Sequence, residues 1–265
     1  MGERGHQRIS EAAVRLLGSE RSRVPVALFS TQPPGLTLTD AYRIQAATIA
    51  CRVAGGARVV GHKVGVTSPA MQEQMRVDEP DSGVLLDDMV LPDGSELARR
   101  DFLSPRIEAE IAFRLGRDLK GPDLTVEDAR GAVSEVFLAL EVIDTRFAGW
   151  RIALADSIAD NASCARVVTG AMVRLDPAWD LAAEPVVVSV DGRAVATGEG
   201  RAVLGDPLRP LVWLADRLSD VAPSQRLRAG DLVLAGAVHA SLPLEGGTTV
   251  RATAPHLPPV HLHVA

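Results

Sequence analysis

Aromatic rings are scarce in this chain: five Phe, three Trp and one Tyr make up 3% of 265 residues. Single-stranded nucleic acid is held on stacked rings in a positive groove. With few rings and a net charge of -6, the chain is a poor candidate for nucleic acid. Cysteine is scarcer still. Cys51 and Cys164 lie far apart and form no metal-type spacing, so a reduced, cytoplasmic setting is the simplest expectation. No apolar run is long enough to span a bilayer, and the N-terminus has no apolar signal core. A P-loop, a nucleophile elbow and a dinucleotide fingerprint are also missing. Gly198-Glu199-Gly200 lacks the strand-turn-helix context that a phosphate loop needs. Glycine and proline are plentiful but dispersed, so no linker or repeat stands out.

What is present is an apolar content of 46%, enough for a sizeable core in one large domain or one domain with an appendage. Residues 7–22 carry Ile9, Ala12, Ala13, Leu16 and Leu17 on one helical stripe. Thr39 or Asp40 is placed to cap a second helix that runs to about Val53 and ends at Gly55-Gly56. These helices suggest an N-terminal subdomain over residues 1–57. From Arg58 onward strands outnumber helices. Val59–Val66 reads as a strand with close packing at its glycines, and a short helix follows around Ala70–Met75. Thr125 with Asp128 resembles a capping box, Asp191-Gly192 is a hairpin signal, and Pro207–Leu218 reads as an amphipathic helix. Regular βαβ alternation is missing, which favours an α+β fold with a mixed or antiparallel sheet over residues 58–265.

The chemistry concentrates in acids set among apolar residues. Arg106-Ile107-Glu108-Ala109-Glu110-Ile111-Ala112-Phe113 alternates with period two, so Glu108 and Glu110 point to one strand face. Glu141 sits inside the apolar run Val136–Ile143. A carboxylate buried there is costly unless it is paired or ligates a cation. Three carboxylates with no Cys or His nearby in sequence suit a hard divalent ion, Mg²⁺ or Mn²⁺. The same pattern also fits a wet strand face for Glu108 and Glu110, and an ion pair from Glu141 to Arg106 or Arg146. Lys63, mid-strand among valines, is either a desolvated acid, base or anion ligand, or a lysine snorkelling to solvent. Asp78 and Asp81 lie in a loop where turn-forming Asp is common. Asp160-Asn161-Ala162-Ser163 reads as a polar cap or a substrate-gripping turn. His256, His261 and His263 invite a metal reading, and His261 and His263 share a strand face near the end of the chain. With no acid beside them in sequence, a wet face is the favoured reading.

Five segments in order carry a family resemblance: Gly61-His62-Lys63-Val64-Gly65-Val66-Thr67-Ser68, Val77-Asp78-Glu79-Pro80-Asp81-Ser82-Gly83, Pro105–Ile111, Leu140-Glu141-Val142-Ile143-Asp144 and Ala159-Asp160-Asn161-Ala162-Ser163. Over about residues 36–250 the set resembles the 2-keto-4-pentenoate hydratases of the fumarylacetoacetate hydrolase superfamily. The resemblance implies a β-rich roll with flanking helices and a helical N-terminal part. It implies a divalent metal, Mg²⁺ or Mn²⁺, on Glu108, Glu110 and Glu141, with Lys63 and Asp81 as catalytic proton carriers. Ser163 and Asp160 would then bind substrate. The implied ligand is a small 2-oxo or 2-hydroxydienoate acid, and the implied assembly is a homo-oligomer. Sister activities resemble this pattern nearly as well: a 4-oxalocrotonate-type decarboxylase, or a hydratase of longer 2-oxo-enedioates. Two further alternatives stand behind them. One is an inactive partner subunit, against which the three glutamates and Lys63 speak. The other is a C–C hydrolase, for which no His–Glu water-activating pair is visible in sequence. Two departures stand out. Ser82 replaces an aromatic residue common in the pentenoate hydratases, and Ala252–Ala265 lacks the glycine-rich closing strand expected there.

Overall fold

The computed structural model describes residues 3–77, 79–221 and 226–265, so Asp78 lies outside the described residues. The chain opens with α1 (Glu3–Ser22) and α2 (Leu38–Ala54), followed by β1 (Val59–Gly65), α3 (Pro69–Met75), β2 (Asp81–Leu86), β3 (Val90–Pro92) and β4 (Ser95–Leu97). Its centre is β5 (Arg106–Leu115), α4 (Val126–Ala132), β6 (Val133–Ile143), α5 (Leu154–Ala159), β7 (Cys164–Thr169) and β8 (Val173–Arg174). Then come β9 (Pro185–Val190), β10 (Arg193–Glu199), α6 (Arg209–Val221), β11 (Leu232–Ala237), β12 (Leu242–Pro243), β13 (Thr248–Thr253) and β14 (Val260–Val264).

Local chemistry sets most boundaries. The Thr125 hydroxyl accepts from Asp128 N while Asp128 accepts from Thr125 N, which starts α4 with both bonds of a capping box. Asp191 and Gly192 take positive φ, 49° and 80°, and turn β9 into β10. Helix α2 starts two or three residues earlier than its sequence suggests. Thr37, rather than Thr39 or Asp40, is the cap, its hydroxyl accepting from Asp40 N at 3.1 Å.

The principal sheet runs β2-β1-β11-β5-β6-β7-β3, with β12 and β8 paired to β5 and β6. It is mixed, since β1–β11 and β3–β7 are parallel and the other neighbours antiparallel. A second sheet, β10-β9-β13-β14-β4, covers one face. Between them lies a core of Ile107, Ile111, Phe113, Leu138 and Leu140 against Val188, Ala252 and Leu262. Each of these side chains larger than alanine contributes roughly 1.5–3 kcal/mol by leaving water. The opposite face of the principal sheet carries Ala112, Phe137, Ala139 and Leu234 together with the acids. Helices α1 and α2 pack on α5 and Phe147 in a separate apolar cluster, in which Phe29 meets Phe147 edge to face at 5.2 Å. The expected α+β class and mixed β-rich core are what the structure has.

The principal sheet is curled. Strands β1 and β6 stand three neighbours apart, about 14 Å across a flat sheet. Yet Lys63 Nζ of β1 lies 3.4 Å from Glu141 Oε2 of β6. The far edges also meet. The Asn161 side chain accepts from Val84 N at 2.8 Å and donates to Val84 O at 2.9 Å, sealing the turn before β7 against β2.

Candidate metal centre and active site

Antiparallel register sets Glu108 of β5 directly opposite Glu141 of β6, with Glu110 two residues on and on the same face. One carboxylate oxygen from each of the three lies within 4.8 Å of the others. All three are buried, and Glu110 and Glu141 have no exposure at all. Like charges placed directly opposite destabilise a strand pair. The cation nearest to them is Lys63, 3 % exposed, and its 3.4 Å approach to Glu141 falls short of a formed hydrogen bond. Gly236 N donates to Glu110 Oε2 at 2.5 Å. Glu108 Oε1, Glu110 Oε1 and both oxygens of Glu141 have no hydrogen-bond partner. Buried polar atoms are almost always paired. Three clustered carboxylates that leave four buried oxygens without a partner therefore fit a divalent cation with oxygen ligands.

The electrostatics agree with that fit. Burial, then the neighbouring Glu141, pushes Glu108 up to about 8, and the same two causes raise Glu110 well above the usual carboxylate range. Burial acts against the Lys63 charge, but Glu141, Asp81 and Glu108 outweigh it and hold the ammonium protonated above its ordinary range. Cys164, remote in sequence, enters β7 beside Glu141. Burial and then the Glu141 charge push its thiol well up, and it is not one of the three residues whose ligand atoms cluster. The donor set therefore remains hard oxygen.

Lys63 and Asp81 face each other across the β1–β2 ladder, where Gly65 pairs with Asp81 and Gly83 with Lys63. The glycine at 65 makes room for both. A β-carbon there would lie 2.3 Å from Asp81 Oδ1 and 3.0 Å from Lys63 Nζ. Ser157 of α5 donates to Asp81 Oδ2 at 2.5 Å, while Oδ1 is buried with no partner. Asp81 thus presents one fixed oxygen and one open oxygen.

The turn after α5 is strained. Asn161, Ala162 and Ser163 take successive φ of 55°, 50° and 56°, a left-handed path that costs roughly 1–2 kcal/mol per non-glycine residue. Asn161 offsets part of this through Val84. Asp160 offsets more, receiving Arg146 Nε at 2.5 Å, Arg146 N at 2.9 Å and the Thr145 hydroxyl at 3.2 Å. Ser163 Oγ is left buried without a partner, one residue before Cys164.

The structure thus brings Glu108, Glu110, Glu141, Lys63 and Asp81 together and puts Ser163 at their margin. Both carboxylate oxygens of Asp160 are turned to Arg146 and Thr145 and not to the acids. The ion pairs open to Glu141 in sequence resolve differently. Arg146 goes to Asp160, and Arg106 donates to Ser241 Oγ and O at 2.7 and 2.6 Å. The histidines disperse, and two of them find acids from afar. His256 pairs with Glu184, His261 with Asp93, and His263 meets the Thr249 hydroxyl. Sequence reasoning missed Ser157, because a six-residue helix has no readable period. It also missed Thr67, whose buried hydroxyl sits against Gly236 with no hydrogen-bond partner.

A model of the family described as fumarylacetoacetate (FAA) hydrolase, C-terminal, matches residues 51–265. The chain is 40% identical over 232 residues to the 2-keto-4-pentenoate hydratase of Paraburkholderia xenovorans (strain LB400), covering 88% of this chain and 86% of that one. It is 37% identical over 244 residues to the 2-hydroxyhexa-2,4-dienoate hydratase of Comamonas testosteroni, covering 91% of each. Among solved structures, the 4-oxalocrotonate decarboxylase from Pseudomonas putida G7, complexed with magnesium and adipate, superposes with a TM-score of 0.92 at 30% identity over 98% of each chain.

Proposed function

The chain belongs to the fumarylacetoacetate hydrolase family, and from that premise we propose that it is a metal-dependent hydro-lyase of the 2-oxopent-4-enoate hydratase type. It adds water to a 2-hydroxydienoate such as 2-hydroxypenta-2,4-dienoate and yields a 4-hydroxy-2-oxo acid. The observation that carries the reading is the set of orphaned oxygens on Glu108, Glu110 and Glu141 beside Lys63 and the open oxygen of Asp81. Relatives named as hydratases at 37–40% identity support it.

Glu108, Glu110 and Glu141 would hold the cation, Mg²⁺ or Mn²⁺. When bound, it supplies a Lewis acid for the carboxylate and 2-oxygen of the substrate head. Asp81 Oδ1 takes the proton leaving the 2-hydroxyl, while Ser157 fixes the other oxygen and so sets the direction of the open one. Lys63 faces the carbon skeleton and delivers a proton to C5, giving the conjugated ketone. Asp81 then passes the proton it took to Lys63, which restores both groups. Water adds across C3 and C4, its hydroxyl going to C4 while Asp81 accepts its proton and Lys63 supplies the proton at C3. Transfer from Asp81 to Lys63 closes the cycle. Ser163 Oγ, unpaired in the protein, is a donor for the substrate carboxylate, and Asp160 keeps that donor in place by holding its strained turn on Arg146. The burial of the whole group removes competing water.

Residues 58–265 form the catalytic part in this proposal, and residues 1–57 a helical part folded onto α5. A homo-oligomer in the cytoplasm completes it. No helix among the described residues is long and apolar enough to cross a membrane. Light scattering that returned only a 28 kDa species at micromolar protein would remove the assembly.

The near-complete superposition on a decarboxylase favours one second reading, loss of CO₂ from 2-oxohex-3-enedioate. One assay separates the two. Metal-stripped protein is reloaded with Mg²⁺ or Mn²⁺ and given each substrate. Dienol consumption yielding 4-hydroxy-2-oxopentanoate supports hydration. Release of CO₂ from the diacid, with no water added to the monoacid, replaces it with decarboxylation.

A further inference from the structure

Thr67 is 1 % exposed, and its hydroxyl has no hydrogen-bond partner among the described residues. The backbone around it, by contrast, is tied down. Leu204 N donates to Thr67 O at 3.1 Å, Gln72 Nε2 donates to Val66 O at 3.3 Å, and the Ser68 hydroxyl caps α3 by accepting from Met71 N at 3.4 Å. Val66 takes a φ of 58°, a left-handed conformation that is an outlier for a β-branched residue. Gly236 clears space from the other side. Its φ is 105°, and a β-carbon there would run into the Thr67 hydroxyl and lie 2.9 Å from Thr67 Cβ. A strained turn and a glycine thus hold one hydroxyl where the protein offers it no partner. Burying an unpaired hydroxyl costs free energy. A valine would occupy much the same space without that cost, so the hydroxyl answers to a group that the chain itself does not supply.

The hydroxyl lies between the acids and the proton carriers. Gly236, against which it packs, donates its N–H to Glu110 Oε2 at 2.5 Å. That N–H is turned to the acid where β11 slips register against β5, between Leu234 and Ala237. One glycine therefore stands between the hydroxyl and the Glu110 carboxylate. On its other flank Thr67 follows Gly65 by two residues, and Gly65 packs on Asp81 Oδ1 and Lys63 Nζ. Ser163 leads into β7 while Thr67 lies against β11, and these two strands flank the β5–β6 pair that bears the three glutamates. The substrate head has two oxygen groups to be held, a carboxylate and the 2-oxygen. Ser163 serves the first. Thr67, on the side of Asp81, faces the second.

We propose that Thr67 is a further catalytic residue, the hydrogen-bond donor to the substrate's 2-oxygen. This rests on the head-site reading above and adds a group to it. As Asp81 removes the 2-hydroxyl proton, the electron pair left behind makes that oxygen negative. A hydroxyl donates more strongly to an anionic oxygen than to a neutral one. When the pair moves inward to form the 2-oxo group and C5 takes its proton from Lys63, the charge leaves and the hydrogen bond relaxes. Thr67 thus favours the oxyanion over the neutral states on either side of it, which is where a fixed donor accelerates a step. The hydroxyl stays unpaired in the free protein and is paired only in the complex.

Binding calorimetry tests this without turnover. Oxalate carries an anionic oxygen where the substrate has its 2-oxygen, and 2-oxobutanoate carries a neutral one. In Mn²⁺-loaded protein, Thr67→Val should weaken oxalate by about tenfold or more and 2-oxobutanoate by less, with Mn²⁺ affinity within about threefold of wild type. Thr67→Ser keeps the hydroxyl and should keep oxalate affinity within about threefold. Metal-free Thr67→Val should melt no lower than wild type, because the deleted hydroxyl had no partner. With 2-hydroxypenta-2,4-dienoate, the same variant should lose roughly 10²-fold in kcat with little change in KM. Equal oxalate affinity in wild type and Thr67→Val overturns the donor. So does a Thr67→Val protein that loses Mn²⁺ and both acids alike, or that melts well below wild type, since either makes the hydroxyl part of the framework. A wild type that binds no oxalate removes the head site and the donor with it. Selective loss of oxalate in Thr67→Val, from a protein that hydrates no dienol, keeps the donor and overturns the hydratase reading alone.

Discussion

Stripping the cation should make the protein lose stability as pH rises, and the size of the effect follows from Glu108. Burial and the facing Glu141 push its carboxyl from 4.5 up to about 8 in the metal-free fold. The unfolded chain frees it from both. Between these values the fold binds a proton that the unfolded chain has released, so stability falls by about 1.4 kcal/mol per pH unit across the window. The full displacement is on the order of 5 kcal/mol for this one group, and Glu110 shifts the same way. In a chain of this size each kcal/mol moves Tm by about 2–4 °C. Chelated protein should therefore melt roughly 10 °C lower at pH 8.5 than at pH 5.5. A bound cation reverses the sign, because it takes the ionised carboxylates and displaces their protons. The increment in Tm on adding Mn²⁺ should accordingly be larger at pH 8.5. Scanning calorimetry with chelator and with Mn²⁺ at both pH values reads it. A chelated Tm that is flat or rising with pH, or a cation increment equal at both, would refute the reasoning.

Lys63→Met should lower turnover by roughly 10²–10⁴ while Mn²⁺ binding measured by calorimetry persists; a variant with wild-type turnover would remove Lys63 from the proton path. Gly65→Ala inserts a β-carbon 2.3 Å from Asp81 Oδ1 and 3.0 Å from Lys63 Nζ. Displacing these groups should cost about 10²-fold in kcat, and unchanged kcat would show that their placement is not critical. Asp160→Asn leaves Arg146 buried without its counter-charge and should destabilise the fold by about 3–5 kcal/mol. A thermal melt matching wild type would contradict the framework role given to Asp160.

Sequence periodicity was enough to put Glu108 and Glu110 on one face and to mark Glu141 as an acid among apolar residues. The pairing that sets Glu141 opposite Glu108 is long-range and leaves no local trace. Lys63 could be put on a strand, but its reach to β6 depends on the curl of the whole sheet. The start of α2 lies two or three residues before the expected one because Thr37, Thr39 and Asp40 all lie within four residues, and only geometry shows which side chain meets a free N–H. Asp160 looked available because its partner Arg146 lies 14 residues away. The left-handed run Asn161-Ala162-Ser163 contains no glycine to announce it. The α+β class, the capping box at Thr125 and the hairpin at Asp191-Gly192 were readable, since each rests on contacts within a few residues.

The central claim is that one cation held by Glu108, Glu110 and Glu141 serves the hydration. Its most direct test is the rate of 2-hydroxypenta-2,4-dienoate hydration plotted against Mn²⁺ bound per chain, counted by electron paramagnetic resonance. The expected result is a rate that rises from zero and saturates at one ion per chain in the wild type, with no tight ion and no rate in Glu141→Gln. Hydration by chelated, metal-free protein, or full rate in Glu141→Gln, would contradict it.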